Sequence, residues 1–237
     1  MLAPEARPYE NSQSADAAAA LTAVLRGGVL GQAGGGTLAD VVAEVEKAGS
    51  LSRILVAAVA DLDKDASVHL LRTGGRPTGL VVTRIPGETT SQATPASLKS
   101  IRASVGSDPS WRKRLLAGLG KKFLLKPGTW NLALRAWKDM RSLDLKSFAS
   151  GATNPAVVLV LATDEAFRSG TVESALSGFL GSLPAGTEVR TMYVREQEEA
   201  HTVFARAGFE ARGTDQPVPG LRLKKQPLHL VDASRSV

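Results

Sequence analysis

The chain has 237 residues, of which 43% are hydrophobic, so it is long enough to bury a sizeable core, and we expect a single α/β domain over residues 1–237. It contains no cysteine, which excludes disulfides, thiolate metal sites and a cysteine nucleophile, and its three histidines lack the short spacing of a zinc motif, so we expect no metal. The formal charge of +6 favours an anionic partner such as a phosphorylated cofactor, a lipid headgroup or nucleic acid.

The amino-terminal residues predict a loose leader and no targeting segment. Residues 1–14 are rich in Pro, Glu, Ser and Asn, and they lack the apolar core of a signal peptide. No run in the chain approaches the roughly 20 apolar residues that span a bilayer. We therefore expect a cytoplasmic protein.

Two helices are predicted next, with a glycine-rich link between them. The Ala- and Leu-rich stretch 16–26 closes on Gly27-Gly28, which suits a helix with a glycine stop. Thr37, with an acidic residue three places later and apolar residues at helical spacing behind it, indicates a capping box and a second helix. The glycines at 34–36 predict a flexible link, because no strand precedes them and no Lys-Ser/Thr pair follows, as a phosphate-binding loop requires.

Short apolar runs then predict one edge of a sheet, with a hairpin turn at Gly74-Gly75. The runs are residues 53–60, 68–71 and 80–83. Residues 61–65 alternate carboxylates like the start of a calcium loop, but the turn glycine and the bidentate Glu of such a loop are missing. We interpret them as a solvated turn, and the polar stretch 86–97 as a loop.

Residues 98–148 are the most basic segment and predict a helical insertion before the central strand. Apolar residues at helical spacing on both sides of Pro127-Gly128 indicate two amphipathic helices hinged there. In one interpretation their apolar faces pack on the core while the Lys and Arg side chains are solvated. In another they dock an anionic lipid-linked substrate or the membrane interface. Nucleic-acid binding is disfavoured, because no helix-turn-helix, zinc finger or aromatic RNA-binding strand accompanies the charge.

The carboxyl-terminal third carries a strand, a turn, a helix, a second strand and a second helix that ends on Gly-Phe. The residues that define the pattern are the strand 157–162, Asp164, Arg168, Ala175-Leu176 and Gly208-Phe209. This order resembles the core of GNAT-type N-acyltransferases, whose loop usually reads Arg/Gln-x-x-Gly-x-Gly/Ala before an Ala-Leu helix. The resemblance implies a GNAT-like α/β fold, with a mixed central sheet flanked by helices, and an acyl-CoA-binding core at residues 155–213.

In this family the loop aims backbone N–H groups at the pyrophosphate of coenzyme A from a helix N-terminus, where the dipole also favours negative charge. The cofactor-binding residues that the resemblance implies are Leu161, Ala162, Thr163, Arg168, Ser169, Gly170, Thr171, Val172, Glu173, Gln197 and Phe204. Backbone N–H groups at 161–163 would polarise the thioester carbonyl. Thr171 and Glu173 replace the family's glycines, so we expect added bulk and a carboxylate close to the phosphates.

Phe204 replaces the tyrosine that protonates the departing thiolate in many family members, and phenylalanine has no proton to give. The nearest titratable groups by sequence are Tyr193 and His201, which become the candidate catalytic residues, although a core tyrosine and a surface histidine would look the same. The resemblance implies transfer of an acetyl or other acyl group from acetyl-CoA or another acyl-CoA to a primary amine of a small molecule. The basic helices would suit an anionic acceptor.

A second hypothesis follows from the joint change at Thr171, Glu173 and Phe204. The fold would then be kept without full activity, as a binding or regulatory module that recognises an anionic partner or a membrane surface through the basic helices.

Overall fold

A computed structural model of the chain describes residues 5–49, 51, 66–85, 117, 127–140 and 155–237. The strands are β1 (Glu5–Pro8), β2 (Ala66–Thr73), β3 (Arg76–Arg84), β4 (Ala156–Ala162), β5 (Glu188–Val194), β6 (Glu210–Leu223) and β7 (Gln226–Ser236). The α-helices are α1 (Ser14–Arg26), α2 (Gly28–Leu30), α3 (Gly36–Lys47), α4 (Pro127–Met140), α5 (Asp164–Arg168), α6 (Thr171–Gly181) and α7 (Glu198–Arg206). A 3₁₀ turn (Asn11–Gln13) precedes α1, and a π-helical turn (Gly31–Gly35) precedes α3.

The seven strands form one mixed sheet in the order β1-β2-β3-β4-β5-β7-β6. Neighbouring strands are antiparallel except β4 and β5, which run parallel. A parallel pair needs a crossover connection, and α5 and α6 supply it. The predicted fold class is confirmed in its architecture: a mixed central sheet is flanked by helices, and its carboxyl-terminal part has the predicted order of strand, turn, helix, strand and helix.

Alternating side chains divide the core into two layers, one on each face of the sheet. Leu70 and Leu80 face each other on β2 and β3 and pack in the layer formed with α1 and α3. The neighbouring residues Leu71 and Val81 belong to the other layer, formed with α5, α6 and α7. Strand β4 is a continuous apolar run: its first three residues are buried, whereas Leu161 near its end is exposed.

The predicted glycine-rich link between the first two helices is confirmed in part. Helix α1 ends before Gly27 as predicted, and Gly34, with a φ of +95°, interrupts the helical path with a kink before α3. The residues between these two points are helical turns and not the predicted flexible loop. Helix α3 has already begun at Gly36, so Thr37 lies inside it and makes no capping hydrogen bond. The predicted glycine hairpin between β2 and β3 is confirmed.

The predicted loose leader at residues 1–14 is wrong for its described part. Strand β1 pairs with β2 from Glu5–Arg72 to Pro8–His69, and the N–H of Tyr9 donates to the carbonyl of Val68 at 2.8 Å. Tyr9 is buried against α1. An edge strand needs one row of hydrogen bonds only, so it tolerates proline and charged residues and shows no apolar alternation in the sequence.

Helix α4 confirms the second of the two helices predicted for the insertion 98–148. The first of those helices, apart from the helical residue 117, lies outside the described residues, as do residues 53–60, 61–65 and 86–97. Asp139 fastens α4 to β6, because its carboxylate accepts hydrogen bonds from the N–H of Gly220 at 2.8 Å and from the guanidinium of Arg222 at 2.7 Å. Leu134, Arg135 and Lys138 are exposed on the same helix. None of the described helices is long and apolar enough to cross a membrane.

Candidate active site

The parallel strands β4 and β5 separate soon after they begin. They pair at two positions, Ala156 with Val189 and Val157 with Arg190, and both strands then run on without further pairing to each other. The other edge of β4 stays paired with β3 as far as Ala162. The edge of β4 that faces β5 is therefore open toward its carboxyl end, which is where ligands bind in sheets with parallel strands.

Backbone hydrogen bonds decide which groups of β4 point into this gap. The N–H of Thr163 donates to the carbonyl of Thr78 at 2.9 Å, and hydrogen-bonded pairs alternate along an antiparallel ladder, so Leu161 and Leu80 also face each other as a bonded pair. Ala162 lies between them and directs its N–H and its carbonyl toward β5. The prediction that 161–163 all present N–H groups is thus wrong for Leu161 and Thr163, and the geometry leaves Ala162.

The end of β4 is fixed by a close approach to β3 and by a helix cap. A Cβ atom on Gly79 would lie 2.6 Å from the carbonyl oxygen of Leu161, so β3 can lie this near only with glycine at that position. Thr163 ends the strand and caps α5, because its hydroxyl accepts a hydrogen bond from the N–H of Ala166 at 3.3 Å. The backbone at Ala162 is consequently held from both sides.

A cavity of about 210 Å³ lies at this end of β4. It has room for several water molecules or a small organic group. One wall is the junction of α1 and α2, with Val24, Gly27, Gly28, Val29 and Leu30. The other wall combines the strand end, α5 and the residue before α7, with Ala162, Thr163, Asp164, Glu165, Arg168 and Gln197.

The half-buried carboxylate of Asp164 is held between these two walls. The side-chain amide of Gln197 donates to Oδ1 of Asp164 at 2.9 Å and to the carbonyl of Ala162 at 3.3 Å. Gly28 has a φ of +49°, and a Cβ atom there would collide with Oδ2 of Asp164. The sequence analysis did not predict this contact. The features that could have indicated it are the pair Gly27-Gly28 after a helix and Asp164 after a buried strand, but they lie far apart in the chain.

The loop before α6 differs from the crowded loop that the sequence predicts. Gly170 takes a left-handed conformation, with a φ of +78°, just before the helix. The side chain of Thr171 is 2% exposed, and its hydroxyl lies 2.9 Å from those of Thr73 and Ser169. The bulk of Thr171 therefore points into the fold, and the predicted crowding of a phosphate by this side chain is wrong.

The remaining residues of the loop divide into one that is buried and two that are exposed. Val172 is fully buried in the core, its backbone included. Glu173 is exposed in the first turn of α6, where helix N–H groups have no partner within the helix. Arg168 is exposed and lies 3.2 Å from the carboxylate of Glu199 on α7.

The two candidate catalytic side chains lie against each other. The hydroxyl of Tyr193 is 3.0 Å from Nδ1 of His201. Burial raises the pKa of Tyr193; the charge of Arg195 lowers it in part and that of Asp215 raises it further. The phenol is therefore protonated at neutral pH and donates to the imidazole when His201 is neutral. His201 is exposed, so its ring also reaches solvent.

Phe204 is buried and presents no surface to a cofactor, so its burial does not favour the prediction that it binds one. It is 0% exposed, stacks on Tyr193 with ring centres 5.2 Å apart, and meets Phe209 edge-on at 5.5 Å. Its place in the buried layer makes it a support for the ring of Tyr193.

Among the residues that the structure describes, no three His, Asp or Glu side chains lie close enough together to bind a metal ion.

Neither a scan against protein-family models nor a search of curated proteins found a match. Among solved structures, the chain is similar to AAC(6')-Ib in complex with ribostamycin and coenzyme A, at 13% identity and a TM-score of 0.48, over 98% of this chain and 93% of that one. It is also similar to the aminoglycoside acetyltransferase AAC(6')-Ib in complex with coenzyme A, at 14% identity and a TM-score of 0.43, over 99% and 95%. These identities and TM-scores are too low to carry a function across.

Proposed function

We propose that the protein transfers an acetyl or other acyl group from acyl-CoA to a primary amine of a small molecule. The observation that supports this most is the separation of β4 from β5, which leaves an open strand edge beside a cavity. An extended ligand that carries amide groups can hydrogen-bond along such an edge as an added strand. The pantetheine arm of coenzyme A is such a ligand, since amides lie between its thiol and its pyrophosphate.

The N–H of Ala162 would meet the thioester carbonyl at the end of this arm. Negative charge develops on that oxygen as the amine attacks, and a backbone N–H fixed in advance stabilises it without reorganisation. Val160 lies two residues earlier, so its N–H faces the same side and would meet the arm itself. The carbonyl of Ala162 is engaged by Gln197 at 3.3 Å, a long hydrogen bond that a ligand amide can replace.

The pyrophosphate would bind at the loop 168–173 and the start of α6. The dipole of α6 favours an anion at its first turn, residues 171–173, of which Glu173 is exposed. Arg168 adds a positive charge once it leaves Glu199, and an exposed ion pair of this kind is worth about 0–1 kcal/mol, so the exchange costs little. Ser169 and Gly170 complete the turn that presents these groups.

Tyr193 and His201 would supply the proton for the leaving group. The amine nitrogen bonds to the acyl carbon and loses a proton, the C–S bond breaks, and sulfur leaves with the electron pair as a thiolate. The hydroxyl of Tyr193 gives its proton to that thiolate, and the imidazole of His201 returns a proton from solvent. No covalent intermediate on the protein is needed.

Calorimetric titration of the full chain with acetyl-CoA tests the cofactor assignment. Replacing Glu173→Gln removes a negative charge from the first turn of α6 and should tighten acetyl-CoA about two- to fivefold, or about 0.4–1 kcal/mol. Glu198→Gln is the matched control, because Glu198 is also an exposed glutamate in the first turn of a helix. The affinity of this variant for acetyl-CoA should equal that of the wild type. Absence of binding at millimolar acetyl-CoA would falsify the proposal.

Acetyl transfer to a primary amine, followed by thiol release, tests the enzymatic part. Binding of acetyl-CoA without any transfer would favour the second hypothesis, a binding or regulatory module without activity. A cytoplasmic location stays a prediction.

A further inference from the structure

We infer that the acceptor is a cationic amine and that Asp164 binds its ammonium group. The inference rests on the proposed function, because it assigns the second substrate of the same site. It follows from the charges that line the cavity, from the way Asp164 is held, and from the position of Ala162.

The cavity is apolar on one wall and acidic on the other. Val24, Val29 and Leu30 form the apolar wall, whereas Asp164 and Glu165 bring two carboxylates to the opposite one. Arg168 also lines the cavity, but its positive charge is offset by Glu199 at 3.2 Å, and by the pyrophosphate once acyl-CoA is bound. The charges in the cavity therefore favour a cation that has a short apolar body.

Asp164 has the geometry of a fixed carboxylate receptor. Gln197 holds Oδ1 in place, and Gly28 lies beside Oδ2 without a side chain that would cover it. A carboxylate fixed in this way accepts a charge-assisted hydrogen bond from an ammonium group without first losing rotamer freedom. It can also take the proton that the nitrogen must lose before its lone pair attacks.

The same cavity brings the acceptor to the thioester. Ala162 lines it together with Asp164, and the N–H of Ala162 faces the gap in which the acyl group would lie. An amine held by Asp164 would therefore lie next to the carbonyl that Ala162 polarises. The amine can then attack the thioester directly, without a covalent intermediate on the protein.

This inference replaces the sequence-based expectation of an anionic acceptor. That expectation came from the basic helices, and the exposed cations Arg135 and Lys138 belong to α4. Helix α4 packs on β6 through Asp139, and none of its described residues lines the cavity. The charge that an acceptor meets at the site is thus acidic, although the whole chain is basic.

Three linear amines of equal chain length test the charge preference: diaminopentane, pentylamine and aminopentanoate, which differ only in the group at the far end. With acetyl-CoA as donor, kcat/KM should fall in that order, with about tenfold between the first and the last. Asp164→Asn keeps the hydrogen bond from Gln197 but removes the charge, and should lower kcat/KM for all three amines about 100-fold. Glu210→Gln, at an exposed acid on β6, is the control and should change none of them.

Calorimetric binding of diaminopentane in the absence of acetyl-CoA separates this inference from the proposed function. Weaker binding to Asp164→Asn than to the wild type, at equal thermal stability, supports the cation site even if acetyl-CoA does not bind and the proposed function fails. Equal transfer by Asp164→Asn, or fastest transfer to aminopentanoate, overturns the inference while acyl transfer itself stands.

Discussion

The two edges of β4 differ in how far they are paired. On one edge, six residue pairs join it to β3, from Gly79–Ala162 to Arg84–Val157. On the other edge, two pairs join it to β5. One complete ladder is enough to fix the strand, so its second edge can present backbone groups to a ligand without loss of rigidity. The edge of β4 that pairs with β3 therefore fixes the position of the strand, and the opposite edge presents the backbone groups that can bind a ligand.

The open edge is also bridged beyond the strands. Helices α5 and α7, which follow β4 and β5, are linked by Gln197–Asp164 and by Arg168–Glu199. These bridges are side-chain contacts, partly exposed, and each is far weaker than a strand ladder. Substitutions on the β3 side should therefore change stability, and substitutions on the β5 side should change activity.

The largest effect on stability is expected from Gly79→Val, which disrupts the pairing of β3 with β4. Its Cβ atom would lie 2.6 Å from the carbonyl of Leu161 and 2.8 Å from the Cα of Ala162, so backbone must move. We expect a loss of about 3 kcal/mol in the free energy of unfolding, measured by denaturant titration. Gly178→Ala in α6 is the control, because a Cβ atom there meets nothing within 4 Å, and helix propensity predicts a gain of up to about 1 kcal/mol. An unchanged midpoint for Gly79→Val would show that the close approach is not needed.

Tyr193→Phe removes the hydroxyl group of Tyr193 on β5, the strand beside the open edge of β4, and changes the packing little. It should lower kcat for acetyl transfer about 100-fold, because the proton donor for the thiolate is lost, and leave KM unchanged. The lost hydrogen bond to His201 should cost about 1 kcal/mol of stability. Because the pKa of Tyr193 is raised, wild-type kcat should fall only at alkaline pH, where the phenol loses its proton.

The control for this variant is Tyr9→Phe, at the second of the two tyrosines in the chain. Tyr9 is buried between the sheet and α1, in the layer on the other face of the sheet, and its replacement should leave kcat at the wild-type value. Equal loss of kcat in both variants would mean that the effect comes from stability and not from proton transfer.

Gly28→Ala should have a smaller effect, confined to the acceptor. The added Cβ atom meets Oδ2 of Asp164, so kcat/KM for the amine should fall about tenfold while the affinity for acetyl-CoA stays the same. Gly34→Ala is the matched control, since Gly34 also has a positive φ, of +95°, but its Cβ atom would meet nothing within 4 Å. Both variants carry the backbone penalty of about 1–2 kcal/mol, and only Gly28→Ala should impair transfer.

Much of the fold could be predicted from the sequence because its signals are local. The run 157–162, the helix 171–181 and the closing Gly208-Phe209 each show their periodicity within a short window. Strand β1 was not predictable, because four residues with proline and charge become a strand only through pairing with β2. The helical turns on either side of Gly34 are not indicated by the glycine-rich sequence, because glycine has a low helix propensity.

The sequence could predict where the site lies in the chain, but not which side chains touch each other or which backbone groups face the gap. Tyr193 and His201 could be named from their places in the chain, but their contact depends on how β5 meets α7. Which N–H of 161–163 faces the gap depends on register with Thr78, which the sequence does not show. The cavity at Asp164 depends on Gly28 in the first third of the chain, so only the folded protein reveals it.

The smallest effect is expected from pH at the paired edge, through His69 on β2. Burial lowers the pKa of His69, whose Nε2 lies 3.0 Å from the hydroxyl of Ser67. Below the unfolded pKa of about 6.5, the unfolded chain binds a proton that the folded chain resists, so the free energy of unfolding falls as pH decreases. His69→Gln should therefore lose less stability than the wild type between about pH 7.5 and 5.5. The lowered pKa of Glu196 acts further toward acid, and the pKa of Asp232, which burial raises, acts with the opposite sign, so the comparison with His69→Gln isolates the contribution of His69. Equal losses in both proteins would mean that His69 titrates alike in the folded and unfolded chains.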